Sequence, residues 1–81
     1  MITSGQIKAA RALIGLTVAE LAKSAGIGFT TMVRLESADG IPSGTVRTLD
    51  AVQRALENAG VEFIGTPEEG AGVRWKKDFP K

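Results

Sequence analysis

Apolar residues recur at the spacing of one helix face in four stretches of the chain, with glycine-containing breaks between them. The first stretch runs from Thr3 to Ile14. Gln6 lies three residues after the initial threonine, which is the spacing of a capping box, and Gly15 follows the last apolar residue. The apolar stripe consists of Ile7, Ala10, Leu13 and Ile14. These signals predict a first helix over residues 3–14.

Two shorter stretches with helical spacing follow, Val18 to Ala25 and Phe29 to Ser37. Thr17 and Glu20 repeat the capping-box spacing before the first of them. Gly26 can adopt the left-handed conformation that ends a helix without steric cost. The sequence therefore predicts two helices joined by a tight turn. The side chains of Met32 and Leu35 are expected to point inward, and those of Thr30, Thr31 and Arg34 outward.

A longer helix is predicted from about Gly44 to Asn58, with Ser43 as its N-cap. We expect this helix to be continuous. Its inner face would consist of Val46, Leu49, Val52, Ala55 and Leu56.

The last part of the chain alternates between apolar and polar residues in two runs, 61–64 and 73–77. The glycine-rich residues 65–72 lie between these runs, so the pattern predicts a hairpin with a long loop. An isolated hairpin is marginally stable in water. It must therefore pack on the helices or pair with its copy in a second subunit. Residues from Asp78 onward are expected to be frayed.

Composition limits the classes of protein to consider. The chain has 81 residues, enough for one domain, with a net charge of +1 and no cysteine. The absence of cysteine excludes disulfides and cysteine-rich zinc sites, and it fits a reducing cytoplasm. No apolar run approaches the roughly 20 residues of a membrane span, and no signal-peptide pattern is present, so we expect a cytoplasmic protein without a membrane partner.

Catalytic chemistry is not expected. The chain lacks histidine as well as cysteine, and therefore the commonest general base and the thiol nucleophile. Its acidic residues have no paired spacing beyond that of helix surfaces, and its glycines do not form a phosphate loop. We predict no enzyme activity, no cofactor and no small-molecule effector.

The residues around the predicted turn resemble those of the lambda-repressor-like helix-turn-helix family, which includes phage repressors, Cro proteins and small bacterial relatives. The matching segments are Leu16-Thr17, Glu20-Leu21-Ala22, Gly26-Ile27 and Arg34-Leu35-Glu36. The resemblance covers about residues 5–60. It implies a mainly α, compact four- to five-helix DNA-binding domain over residues 1–60. The alternating pattern adds a short β-hairpin and tail over residues 61–81.

The resemblance also implies where DNA would bind. The second helix of such a motif lies in the major groove, and the first crosses the DNA backbone. Residues in the positions of base and nearby phosphate contacts are Gly28, Phe29, Thr30, Thr31 and Arg34. Arg34 is the strongest candidate, because a guanidinium can bind O6 and N7 of guanine together. Candidates around the groove for contacts to the DNA backbone are Thr17, Val18, Lys8, Lys23, Ser43 and Arg47.

Two residues depart from the family pattern. Val18 stands where many members carry a glutamine that bonds a phosphate, and Phe29 stands at a position that is usually polar. The phenylalanine could cover a thymine methyl group, wedge against a base step or pack on the turn of the motif itself. Arg11 and Glu36 occupy positions that form an ion pair in the repressors, so the resemblance implies a partly buried pair here.

The apolar residues beyond the motif suggest a homodimer. They are Val52, Leu56, Val61, Phe63, Ile64, Val73 and Trp75. Two copies would read the two halves of a palindromic operator, as a repressor or an activator. The alternative is a protein-interaction module, such as an antitoxin or a helix-turn-helix adaptor that does not bind DNA. Salt dependence separates these hypotheses, because phosphate neutralisation makes DNA binding sensitive to salt.

Overall fold

The computed structural model describes residues 1–79, which form four helices followed by a two-stranded antiparallel hairpin. The elements are α1 (Ser4–Ile14), α2 (Val18–Ala25), α3 (Phe29–Ser37), α4 (Val46–Asn58), β1 (Val61–Ile64) and β2 (Gly72–Trp75). This architecture confirms the prediction of a mainly helical chain with a short C-terminal hairpin.

The boundaries of the first helices follow from their caps. The hydroxyl groups of Thr3 and Thr17 accept hydrogen bonds from the backbone of the residue three positions later, and both predicted capping boxes are complete. Gly15 and Gly26 end these helices in the left-handed conformation, with φ of 74° and 71°. The turn between α2 and α3 is consequently only three residues long, 26–28.

The start of α4 differs from the prediction. Thr45, not Ser43, is the N-cap, and its hydroxyl accepts a hydrogen bond of 3.1 Å from the backbone N–H of Thr48. Gly44, which we expected in the first turn, has a φ of +149° and lies outside the helix. From Val46 to Asn58 the helix is continuous, as predicted.

The core is a single cluster to which every helix contributes. Its buried apolar residues are Ile2, Ile7, Ala10, Leu21, Ala22, Met32, Leu35, Leu49, Val52, Leu56 and Val61. Helix α1 packs on α3 and on the hairpin, and α2 packs on α3 and α4. Helix α3 is therefore held between two other helices.

The hairpin packs on the helices of its own chain. Val61 pairs with Trp75 and Ile64 pairs with Gly72 at the two ends of the ladder. The buried side chain of Gln6 donates hydrogen bonds from Nε2 to the carbonyl oxygens of Ile64 (3.3 Å) and Gly72 (3.0 Å). Because the Oε1 atom of Gln6 also completes the α1 capping box (2.8 Å from the backbone N of Thr3), one side chain joins the start of α1 to the hairpin.

Phe79, four residues after the end of β2, packs on the fold. The ring of Phe79 stacks on that of Trp75, with centroids 6.0 Å apart and an interplanar angle of 18°. A Cβ atom at Gly60 would lie 2.4 Å from the Phe79 ring, so this close approach requires glycine. The prediction of fraying was therefore wrong for Phe79. For Asp78, which is exposed, fraying stays a prediction, and Pro80 and Lys81 lie outside the described residues.

Candidate nucleic-acid interface

The inner face of α3, which we define as Met32, Leu35 and Glu36, is buried against the rest of the molecule. Met32 and Leu35 fill the core. Glu36 differs from these two residues because it is charged: its carboxylate is buried between α3 and α1. A charge in such a position needs a partner.

Arg11 of α1 supplies that partner. Its Nε and Nη2 atoms donate to the two carboxylate oxygens of Glu36 at 2.9 and 3.0 Å, and its Nη1 donates to the carbonyl oxygen of Leu16 at 3.1 Å. The hydrogen bond to Glu36 raises the pKa of the Arg11 guanidinium above its ordinary value. The ion pair that the resemblance implies is thus present, and Arg11 is used in holding α1 to α3.

A second polar contact between these helices has no counterpart in the sequence patterns. The buried hydroxyl of Ser4 donates to the carbonyl oxygen of Leu35, and its backbone N–H donates to the carbonyl of Gly40 at 2.9 Å. Leu35 lies in the last turn of α3, where carbonyl groups lack partners within the helix. Ser4 thereby satisfies one of them. Lys8 lies on the same side of α1 as Ser4 and Arg11, at helical spacing, and is exposed.

The outer face of α3, which we define as Phe29, Thr30, Val33, Arg34 and Ser37, is exposed to solvent. Phe29 is 57% exposed and Val33 is 41% exposed. Among residues 1–79, Arg34 forms neither an ion pair nor a hydrogen bond through its side chain. Thr30 is exposed as expected, whereas Thr31 is half-buried. Sequence reasoning missed Val33, although its position one helical turn after Phe29 marks the same side of the helix.

The starts of α2 and α3 differ in what their amides bind. At α2, the N–H groups of Thr17 and Glu20 are both used in the capping box, at 2.8 and 3.1 Å. The bond from the Thr17 backbone lowers the pKa of the Glu20 carboxyl, which keeps a negative charge there. At α3, the cap is Gly28, and no side chain accepts a hydrogen bond from the first turn.

The other residues predicted to contact the DNA backbone include three exposed cations and two uncharged residues. Lys8, Lys23 and Arg47 are exposed and form no ion pair within the described part of the chain. Val18 is half-buried and packs against the core, and Ser43 is exposed but does not cap α4.

The hairpin carries a cross-strand ion pair. Arg74 Nη2 lies 2.9 Å from Glu62 Oε2, and this bond lowers the pKa of the Glu62 carboxyl. Arg74 is therefore compensated locally, in contrast to Arg34.

Part of the predicted dimer interface is wrong. Val52, Leu56 and Val61 are fully buried in the core of the single chain, so they have no surface to offer a partner. The remaining four residues of that set are half-buried on the hairpin: Phe63, Ile64, Val73 and Trp75. The sequence could not separate the two groups, because packing within one chain and packing between two copies require the same apolar residues.

Within residues 1–79, no group of three or more acidic residues could hold a metal ion, and no helix is long and apolar enough to cross a membrane. No protein-family model matches the sequence, and a search of curated proteins found no significant match.

Proposed function

We propose that this protein is a DNA-binding transcriptional regulator of the lambda-repressor-like helix-turn-helix type, with the outer face of α3 in the major groove. The observation that carries this proposal is Arg34, an exposed arginine in the middle of that face whose side chain has no partner within residues 1–79. Its guanidinium is free to bind O6 and N7 of a guanine.

The surroundings of α3 support the same proposal. The helix is fixed by the core, by the Arg11–Glu36 pair and by the bond from Ser4 to Leu35, so its outer face is presented on a rigid element. DNA recognition requires such positioning, because base contacts depend on the register of the helix in the groove. Its uncapped first turn and the three free helix cations at positions 8, 23 and 47 offer N–H groups and positive charge for phosphates.

Selection of binding sites from a random duplex pool, followed by fluorescence anisotropy on the best site, tests this proposal. Arg34→Ala should lose about 1–3 kcal/mol of discrimination between the selected site and its guanine-substituted variants. Arg54→Ala is the matched control: it removes the same charge from an exposed arginine that pairs with Asp50 on α4 (2.8 Å), and it should retain specific binding. If the two variants discriminate equally between the selected site and its guanine-substituted variants, the proposal that α3 recognises the bases is refuted.

A homodimer remains part of the proposal, with an interface reduced to the half-buried hairpin residues Phe63, Ile64, Val73 and Trp75. Two copies would place two reading helices on half-sites about 34 Å apart. Size-exclusion chromatography with light scattering should give twice the mass of one chain at micromolar concentration. If the measured mass is that of one chain, the dimer is refuted, and the monomer is expected to bind a single half-site.

A protein-interaction module is the second candidate, because another exposed apolar region exists. Val46 is 69% exposed and lines a surface cavity of about 250 Å³ together with Met1 and Ile2. Binding through this region would respond little to salt, whereas DNA binding weakens as salt rises, with a slope set by the number of neutralised phosphates. Failure to select any duplex DNA at low salt would favour this second candidate.

A further inference from the structure

The outer face of α3 carries two parallel rows of side chains with different chemistry. Phe29 and Val33 are one helical turn apart and form an apolar row. Thr30 and Arg34 have the same spacing and form a polar row beside it. An arginine and a threonine suit a solvated helix surface, but a phenylalanine and a valine do not gain stability there.

The apolar row has no role in the core. Met32 and Leu35 fill the space between α3 and its neighbours, and neither Phe29 nor Val33 belongs to the buried core cluster. Phe29 is 57% exposed and Val33 is 41% exposed, so both side chains present apolar surface to the solvent. They are therefore available to an external apolar group.

We propose that Phe29 and Val33 read the 5-methyl groups of thymines next to a guanine bound by Arg34. This inference rests on the proposed function and names the class of DNA sequence that the site prefers. In the major groove, the thymine methyl is the characteristic apolar group on a base edge. An apolar row that enters this groove beside a guanidinium therefore matches a thymine-containing step flanked by guanine.

The spacing of the row agrees with this assignment. Side chains one helical turn apart have Cβ atoms about 5–6 Å apart. Successive base pairs are about 3.4 Å apart along the duplex. Phe29 and Val33 can thus contact methyl groups one or two base pairs apart. A wedge between base steps is the less suitable alternative, because side chains that act as wedges typically enter from the minor groove.

Replacement of thymine by deoxyuridine tests the proposal, since it removes the methyl group and leaves the hydrogen-bonding edge unchanged. In the selected site, each contacted thymine replaced by deoxyuridine should weaken wild-type binding about fourfold, the value of one buried methyl group. Phe29→Ala and Val33→Ala should each bind the thymine site more weakly and lose most of the response to one of the substitutions. Val46→Ala, which removes an exposed valine from α4, should keep the full wild-type response.

The outcomes separate this inference from the proposed function. Wild-type protein that binds the selected site but is indifferent to deoxyuridine at every thymine would overturn the methyl readout and leave DNA binding by α3 intact. The methyl readout would also be overturned if Phe29→Ala and Val33→Ala responded to deoxyuridine as wild type does. Failure to select any DNA would overturn both proposals, and saturable binding of an apolar protein partner to Phe29 and Val33 in the absence of DNA would do so as well.

Discussion

The two faces of α3 treat their charged residues in opposite ways. On the inner face, the carboxylate of Glu36 is 8% exposed and receives two hydrogen bonds from Arg11, which itself is 25% exposed and makes a third bond to Leu16. On the outer face, Arg34 is exposed and has no side-chain partner among residues 1–79. The same residue type thus stabilises the fold at position 11 and is left available at position 34.

This difference indicates where a binding function can reside. Polar groups near the inner face form hydrogen bonds within the fold. Within the described residues, no buried side-chain nitrogen or oxygen lacks a hydrogen-bond partner. A residue that the fold already uses cannot also bind a ligand without a cost in stability. Among residues 1–79, Arg34 on the outer face of α3 makes no such contribution, so its chemistry is explained better by an external partner.

The largest expected effect comes from breaking the inner pair. Arg11→Met should lower the free energy of unfolding by about 3 kcal/mol, because it leaves the carboxylate of Glu36 buried without a partner. Urea unfolding followed by circular dichroism measures this change. The double variant Arg11→Met/Glu36→Leu should recover most of the loss, since it removes both charges. Unchanged stability combined with weaker DNA binding would mean that Arg11 faces DNA.

The second effect concerns the link between α1 and the hairpin. Gln6→Glu keeps an acceptor for the Thr3 backbone but replaces the donor to Ile64 and Gly72 with a carboxylate oxygen. The loss of two hydrogen bonds should lower the free energy of unfolding by about 2 kcal/mol.

The reverse exchange in the second capping box is the control for this variant. Glu20→Gln changes the same two residue types, but Glu20 is exposed and its capping-box hydrogen bonds are to Thr17, so stability should change little at neutral pH. Equal effects of the two exchanges would show that Gln6 acts only as a cap.

A smaller effect is expected at acidic pH. The lowered pKa of Glu20 means that the unfolded chain takes up a proton at a higher pH than the folded chain does. The stabilisation is therefore complete above the ordinary carboxyl pKa and is lost as pH falls through the lower pKa of the folded state. Urea unfolding at a series of pH values should give a shallower acid dependence for Glu20→Gln, because glutamine also completes a capping box without titrating.

The smallest effect on stability is predicted for the outer face. Arg34→Ala should change the free energy of unfolding by no more than about 0.5 kcal/mol, as is usual for exposed residues without contacts. Thermal and urea unfolding of this variant beside wild type provide the measurement. Destabilisation comparable to that of Arg11→Met would show that Arg34 has a structural partner and would remove the contrast between the two faces.

Local signals explain what could be predicted from the sequence. The first two helices begin and end within one residue of the prediction, because capping pairs and terminal glycines act within a few residues. The start of α4 was misplaced because Ser43 and Thr45 are both good N-caps, and only Gly44, a poor residue for a helix interior, distinguishes them.

Long-range contacts were beyond the sequence patterns. The bonds from Ser4 to Leu35 and from Gln6 to Gly72 join residues that are 31 and 66 positions apart, and no periodicity encodes them. Phe79 was missed for the same reason, since its partners are an aromatic ring and a glycine elsewhere in the fold. At the candidate site, helical periodicity predicted which side of α3 is exposed but not that Arg34 would be free while Arg54 and Arg74 are paired.

Chemical-shift mapping is the measurement that tests the central claim most directly. ¹⁵N-labelled protein titrated with the selected duplex should show its largest amide shifts at the start and outer face of α3, including Gly28, Thr30 and Arg34. The amides of Arg54 on α4 and Arg74 on β2 should change little. Large shifts confined to the hairpin or to the region around Val46, with α3 unchanged, would contradict the assignment of the outer face of α3 as the DNA-binding surface.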